Sequence, residues 1–170
     1  MFNAQESQSK DWNSKFIKMA EAIQKNKGTL FMLAGERGCG KTQLSVCLIK
    51  MLLESGEIAR YNKTMDFFKA IKDSYKMPDK TESDIIKDYK KPKLLVLDEI
   101  QVRSESAWEN NLLTNLIDIR YDYMLNTILI GNLVIDKVRD SVGDSIYSRM
   151  EETGGIINCN WESFRTREGR

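Results

Sequence analysis

Gly35-Glu36-Arg37-Gly38-Cys39-Gly40-Lys41-Thr42 has the spacing G-x-x-x-x-G-K-T. This is the pattern of a phosphate-binding loop, or Walker A. Its surroundings are those the chemistry requires. Thr29-Leu30-Phe31-Met32-Leu33-Ala34 precedes it as a short apolar run and reads as a buried strand. Leu44, Cys47, Leu48, Met51 and Leu52 follow at helical spacing and predict a helix over residues 43–54. The loop therefore delivers the chain from a strand to a helix N-terminus, where unpaired N–H groups and the helix dipole favour an anion. Glycines let the backbone curl closely around phosphate. Lys41 can reach the β and γ oxygens, and Thr42 can ligate Mg²⁺. Glu36, Arg37, Gly38, Cys39 and Gly40 complete the loop, and Gln43 continues the nucleotide contact set.

A second apolar run, Lys93-Leu94-Leu95-Val96-Leu97, ends in Asp98-Glu99. It has the form of Walker B. Asp98 is placed to hold Mg²⁺ through water. Glu99 can polarise the water that attacks a γ-phosphate, or it can simply cap the next segment. Thr127-Ile128-Leu129-Ile130 is a further buried strand ending in Gly131-Asn132. Asn132 can bond both the γ-phosphate and that water, although an Asn after a strand also suits a turn. Apolar strands alternating with helices predict a three-layer α/β fold, a parallel sheet of about five strands with helices on both faces. Ligands bind at the carboxyl ends of such strands. Gly35, Asp98, Glu99 and Asn132 all fall there.

The remaining elements are read from spacing. Residues 11–25 form an amphipathic helix, 58–61 a short strand, 65–75 and 82–89 two helices. A long helix opens at Ser104 or Glu105 and runs to about Leu125. Residues 135–150 are helical in part, interrupted at Gly143, and 156–159 make a last strand. The 170-residue chain divides into a tail with the amphipathic helix, 1–27, and a P-loop domain, 28–170, with no evident C-terminal lid.

Net charge is +1, so no global field marks a nucleic-acid binder. The stretch 60–93 is rich in Lys and Arg with acids interspersed. It reads as a solvated surface or as a patch that follows a phosphate backbone. No apolar run is long enough for a membrane span. Cys39, Cys47 and Cys159 lack metal-ligand spacing and read as free thiols of a cytoplasmic protein. There is no histidine, which removes His-based triads and His metal sites. Asn62-Lys63-Thr64-Met65-Asp66 is one residue too long for the guanine-reading N-K-x-D and precedes Walker B, so a GTPase is disfavoured. No arginine-rich lid of a small-molecule kinase is evident.

Beyond the Walker motifs, three further segments carry a family likeness. They are Ile117-Asp118-Ile119-Arg120-Tyr121, Ser148-Arg149-Met150 and Trp161-Glu162-Ser163-Phe164-Arg165. With Leu94 to Ile100 and Asn126 to Leu133, they resemble the AAA+ ATPases that load bacterial replicative helicases, the DnaC and DnaI type, over roughly residues 28–167. The resemblance implies an ATPase of DNA replication that uses ATP and Mg²⁺. It implies self-association around ATP, and binding to a replicative helicase and single-stranded DNA. Arg149 matches the arginine finger that completes the neighbouring subunit's site. Arg165 matches a sensor arginine near the phosphates. Arg120 would support the subunit interface or form an i,i+4 pair within its helix.

Arg103, Ser106 and Trp108 after Walker B, with Lys72 and Lys76, are the candidate DNA contacts. Trp108 can stack on a base or pack in the core. Two departures lie in the loop, where Glu36 and Cys39 replace the usual proline and threonine. Cys39, among backbone amides and near Lys41, is expected to be reactive. Fewer than thirty residues precede the first strand, too few for the separate helicase-binding domain such loaders generally carry. Helicase contact then falls to the 11–25 helix, another surface or a partner chain, or is absent. Two alternatives stand beside the loader: an IstB-like transposition helper acting on duplex DNA, and a nucleotide-dependent inhibitor of a helicase or loader.

Overall fold

The structure is a computed structural model and describes residues 10–25 and 28–160. Five strands form one sheet in the order β2-β3-β4-β1-β5, and every pair is parallel. They are β1 (Leu30–Ala34), β2 (Ala59–Lys63), β3 (Leu94–Asp98), β4 (Asn126–Gly131) and β5 (Gly155–Asn158). Parallel neighbours need crossovers, and helices supply them. The crossover helices are α2 (Lys41–Glu54), α3 (Thr64–Ser74), α4 (Glu82–Lys90), α5 (Ala107–Asp122), α6 (Val138–Val142) and α7 (Asp144–Thr153), and α1 (Lys10–Gln24) precedes the first strand.

The alternation within each strand divides the interior in two. Leu30, Met32, Leu95, Leu97 and Leu129 face one layer, with Phe67, Phe68, Ile71, Leu113, Leu116 and Met150 from α3, α5 and α7. Phe31, Leu33, Leu94, Val96, Ile128 and Ile130 face the other, with Leu44 and Leu48 from α2 and Trp12, Met19 and Ile23 from α1. The three-layer α/β architecture is thus the one the apolar runs imply. Because both faces of β1, β3 and β4 are covered, every residue of those strands is buried. β2 is an edge strand and is only partly covered. The apolar stripe of the first helix is taken up by α2 and the sheet. Among the described residues, Ile17 on its other side is exposed.

Arg120 departs from expectation. It is neither at an open interface nor in an i,i+4 pair. It is fully buried. Its Nε donates to Thr127 Oγ1 at 2.9 Å, and Nη2 donates to the Asn126 carbonyl at 2.6 Å. Nη1 donates to the carbonyls of Tyr89 and Pro92 at 2.8 and 3.1 Å. The guanidinium therefore ties the turn after α4 to the first residues of β4, at the end of the sheet away from the P-loop. Burial pushes its pKa down to about 9, and carbonyl oxygens on three sides take the place of water. Arg120→Ala is expected to leave those oxygens unpaired and to destabilise the fold by about 3–5 kcal/mol. In a domain of this size the melting temperature then falls by roughly 10 °C. Thermal unfolding followed by circular dichroism measures it, and a fall of only a degree or two would contradict the clamp.

Candidate nucleotide site

β1 ends at Ala34, and the loop curls back before α2 begins at Lys41. Gly35 lies where a Cβ would fall 2.3 Å from the Cys159 carbonyl oxygen, so no side chain fits. Gly40, the residue before α2, has φ 81°, a left-handed value that glycine adopts freely. No side chain caps the helix. The first-turn N–H groups, normally satisfied by a capping side chain, are left for an anion. By contrast α4 carries a full capping box, in which Thr81 and Asp84 bond each other's backbone N–H.

Lys41 is buried, and its ammonium donates to the Gly35 and Glu36 carbonyls at 2.8 and 2.6 Å. Thr42 Oγ1 donates to Asp98 Oδ2 at 2.8 Å. The two expected metal-holding groups, 56 residues apart in sequence, therefore meet. A hydroxyl and a carboxylate are the hard oxygen donors Mg²⁺ takes, with phosphate and water completing its shell. Among the described residues no cluster of three or more His, Cys, Asp or Glu could hold a metal by itself.

Asp98 is held on every side. Its Oδ1 accepts from the Glu99 N–H at 2.6 Å, and its carbonyl accepts from Thr64 Oγ1 at 2.9 Å. Tyr61 donates its hydroxyl to Oδ2 at 2.7 Å. Burial, then the Asp98 hydrogen bond and charge, push the tyrosine pKa well up, so it remains a donor. Glu99 adopts φ 59°, in the left-handed region that a non-glycine residue enters only under constraint. It precedes one turn of 3-10 helix, Ile100–Val102, yet its side chain makes no capping bond. It pairs instead with Lys63 at 3.1 Å. Asn132 follows β4 and donates its N–H to Gln101 Oε1 at 3.0 Å, which links the end of β4 to the segment after Glu99.

Tyr61 and Lys63 were not legible as site residues. Lys63 lies opposite Asp98 in the β2–β3 register, and Tyr61 two residues earlier shares its face. A strand read to Lys63 rather than to Tyr61 would have placed both beside Walker B.

Three expected residues occupy other surroundings. Arg103 is buried, and its guanidinium donates to the Ser141 carbonyl. It presents no open surface to DNA, which corrects that assignment. Ser106 caps α5, accepting from the Glu109 N–H at 3.3 Å. Trp108 is half-buried against Phe68, ring centroids 5.9 Å apart, with Lys72 Nζ 4.9 Å from its ring centre. Lys76 is exposed just past the end of the same helix, α3. Arg149, on α7, meets Asp118 at 3.1 Å and donates to the Ser145 carbonyl and hydroxyl. Its guanidinium lies 5.4 Å from the Tyr121 ring centre. Arg165 lies outside the described residues.

A parallel sheet with a P-loop, a Walker B pair and a polar residue ending the intervening strand defines a P-loop nucleotide-binding domain of the AAA+ kind. Residues 7–170 match the family described as IstB-like ATP binding protein, and the chain belongs to that family. It is 27% identical over 138 residues to the replicative helicase loader DnaC of Escherichia coli strain K12. The match covers 81% of this chain and 56% of that protein, so the chain spans about half the length of the curated relatives it matches. The crystal structure of the DnaC helicase loader superposes with TM-score 0.76 and 20% identity, covering 89% of this chain and 91% of that one. The crystal structure of DnaI gives TM-score 0.72 and 19% identity, covering 91% and 88%. Among the described residues no helix is long and apolar enough to cross a membrane.

Proposed function

We propose that this chain is an ATP- and Mg²⁺-dependent ATPase of DNA replication that associates with a replicative helicase and binds single-stranded DNA. The observation that carries the ATPase reading is the meeting of Thr42 with Asp98 beside an uncapped Glu99. Lys41 and the loop N–H groups take the phosphates. Thr42 and Asp98 would hold Mg²⁺, which would neutralise phosphate charge. Tyr61 and Thr64 fix Asp98. Glu99 accepts the proton of the attacking water, and Asn132 orients that water. Phosphoryl transfer asks little more of a protein than such positioning and electrostatics. Arg149 completes a neighbouring subunit's site, and Arg165 takes the role of the sensor arginine that the family resemblance gives it.

The helicase comes from the likeness to proteins named helicase loaders, and the single strand from the family resemblance of the sequence. Lys72, Lys76 and Trp108 are the DNA surface proposed here, with the half-buried Trp108 ring the candidate for base contact. The IstB-like family description favours a second reading, a transposition helper on duplex DNA. The two differ in what they bind. With ATP, this protein is expected to prefer single-stranded over duplex DNA at physiological salt and to co-purify with the host replicative helicase. Lys72→Ala should weaken DNA binding, lower the logarithmic salt slope by about 0.7, and leave ATP affinity unchanged. Fluorescence anisotropy with matched oligonucleotides provides the measurement. A duplex preference without helicase capture selects the transposition helper. Helicase capture without DNA binding or turnover selects an inhibitory module.

A further inference from the structure

Cys39 stands in the middle of the P-loop, and Cys159 stands just beyond β5. The chain gathers them into one buried cluster. The Cys159 N–H donates to the Ala34 carbonyl at 2.7 Å. Its Cβ lies 3.1 Å from where a Cβ on Gly35 would be. Both cysteines are buried in one apolar cluster with Leu33, Leu44 and Ile157. Cys39 Sγ donates to the Glu36 carbonyl at 2.9 Å and lies 3.4 Å from the Lys41 ammonium.

We propose that Cys39 and Cys159 are an oxidative modification site, joined by peroxide in a disulfide that disables the P-loop for nucleotide. It rests on the nucleotide reading above. The Cys39 thiolate attacks one peroxide oxygen, the O–O bond breaks, and the departing hydroxide takes a proton to become water. Cys39 is then a sulfenic acid. The Cys159 sulfur, losing its proton, attacks Cys39 sulfur, the S–O bond breaks, and a second water leaves. Two thiols and one hydrogen peroxide thus give one disulfide and two waters.

The surroundings suit the division of labour. The Cys159 hydrogen bond and the Lys41 charge outweigh burial and bring the Cys39 pKa down to about 6. Cys159 is pushed up by its bond to Cys39 and by burial, and so it is the second thiol to react. Cys47, half-buried on α2, is pushed up by burial and serves as an internal control.

The consequence follows from what each sulfur is tied to. Cys159 is fixed to the end of β1 through Ala34, while Cys39 lies among the amides that face phosphate. Bonded sulfurs sit far closer than thiols in contact, so the loop moves and those amides lose their aim. Bound ATP acts in reverse, drawing Lys41 away from Cys39 and slowing its oxidation.

The test treats the full chain with hydrogen peroxide, with and without ATP. Free thiols are then alkylated, peptides mapped, and labelled-ATP affinity titrated before and after dithiothreitol. The expected result is a Cys39–Cys159 peptide with Cys47 still reduced. ATP affinity should fall by at least about tenfold and return on reduction. Cys159→Ser should lose the sensitivity, and Cys39→Ser provides the same comparison should the first variant not fold. A missing Cys39–Cys159 peptide, unchanged affinity with the peptide present, or undiminished sensitivity in both serine variants overturns the proposal. Reduced protein that binds no nucleotide sinks the nucleotide reading itself, whereas intact binding without the crosslink sinks this inference alone.

Discussion

Lys41→Ala is expected to lose ATP binding by about a hundredfold or more, and Glu99→Gln to keep binding while hydrolysis falls by ~10²–10⁴. The first follows from position. Lys41 begins α2 after a loop that no side chain caps, and its buried ammonium donates to the Gly35 and Glu36 carbonyls of that loop. Alanine leaves the amides but removes the charge that matches the β and γ oxygens. The second follows from what Glu99 does not do. Its side chain neither caps the following turn nor packs in the core, and Lys63 is its ion-pair partner. A glutamine keeps the shape but cannot accept the water's proton. Titration of labelled ATP and a phosphate-release assay on both variants separate binding from turnover. Parent-rate hydrolysis by Glu99→Gln would remove Glu99 from the catalytic role.

What could be read from the chain beforehand depended on how each element is buried. β1, β3 and β4 are covered on both faces, so they appear as unbroken apolar runs, and the order of the motifs along them yields the site. β2 sits at the sheet edge with the sequence Ala-Arg-Tyr-Asn-Lys and one-sided cover. It leaves little periodic signal, and Tyr61 and Lys63 were lost with it. Helix starts shifted for local reasons. α2 begins at Lys41 because the last residues of the motif already form its first turn. α5 begins at Ala107 because Ser106 is its cap, and Glu105 just before it holds φ 54°. The arginines were the hardest to place. Charge ordinarily implies solvent, yet Arg120 is buried where backbone carbonyls converge on it, and Arg103 is buried with its guanidinium on the Ser141 carbonyl. That convergence arises from the meeting of distant segments and leaves no mark on local spacing. Asn126 is similar. The apolar run was read from Thr127, but Asn126 is the first residue of β4, buried and accepting from Thr29 N–H and Oγ1 at 3.0 Å each.

A mixture of Lys41→Ala and Arg149→Ala subunits is expected to recover ATPase activity that neither variant has alone. The partners of Arg149 are Asp118, Ser145 and Tyr121, none of which belongs to the nucleotide site of its own subunit. α5 and α7 hold the guanidinium 26% exposed, in a set orientation. If it acts on a second copy's γ-phosphate, a Lys41→Ala subunit still offers Arg149, while an Arg149→Ala subunit still offers an intact P-loop. One class of mixed interface then carries both halves. An arginine finger supplies ~10³–10⁵ in rate in related P-loop enzymes, so even a minority of such interfaces stands far above either background. Two companion results are expected. Specific activity of the parent should rise with protein concentration, since assembly supplies the finger. Arg149→Lys should recover little, because a point charge cannot reproduce a planar fork. Phosphate release is measured across a mixing series at fixed total protein, under conditions where sedimentation shows association. A series that never exceeds the two parental variants would mean that Arg149 does not act between subunits and that its pairing with Asp118 serves the fold alone.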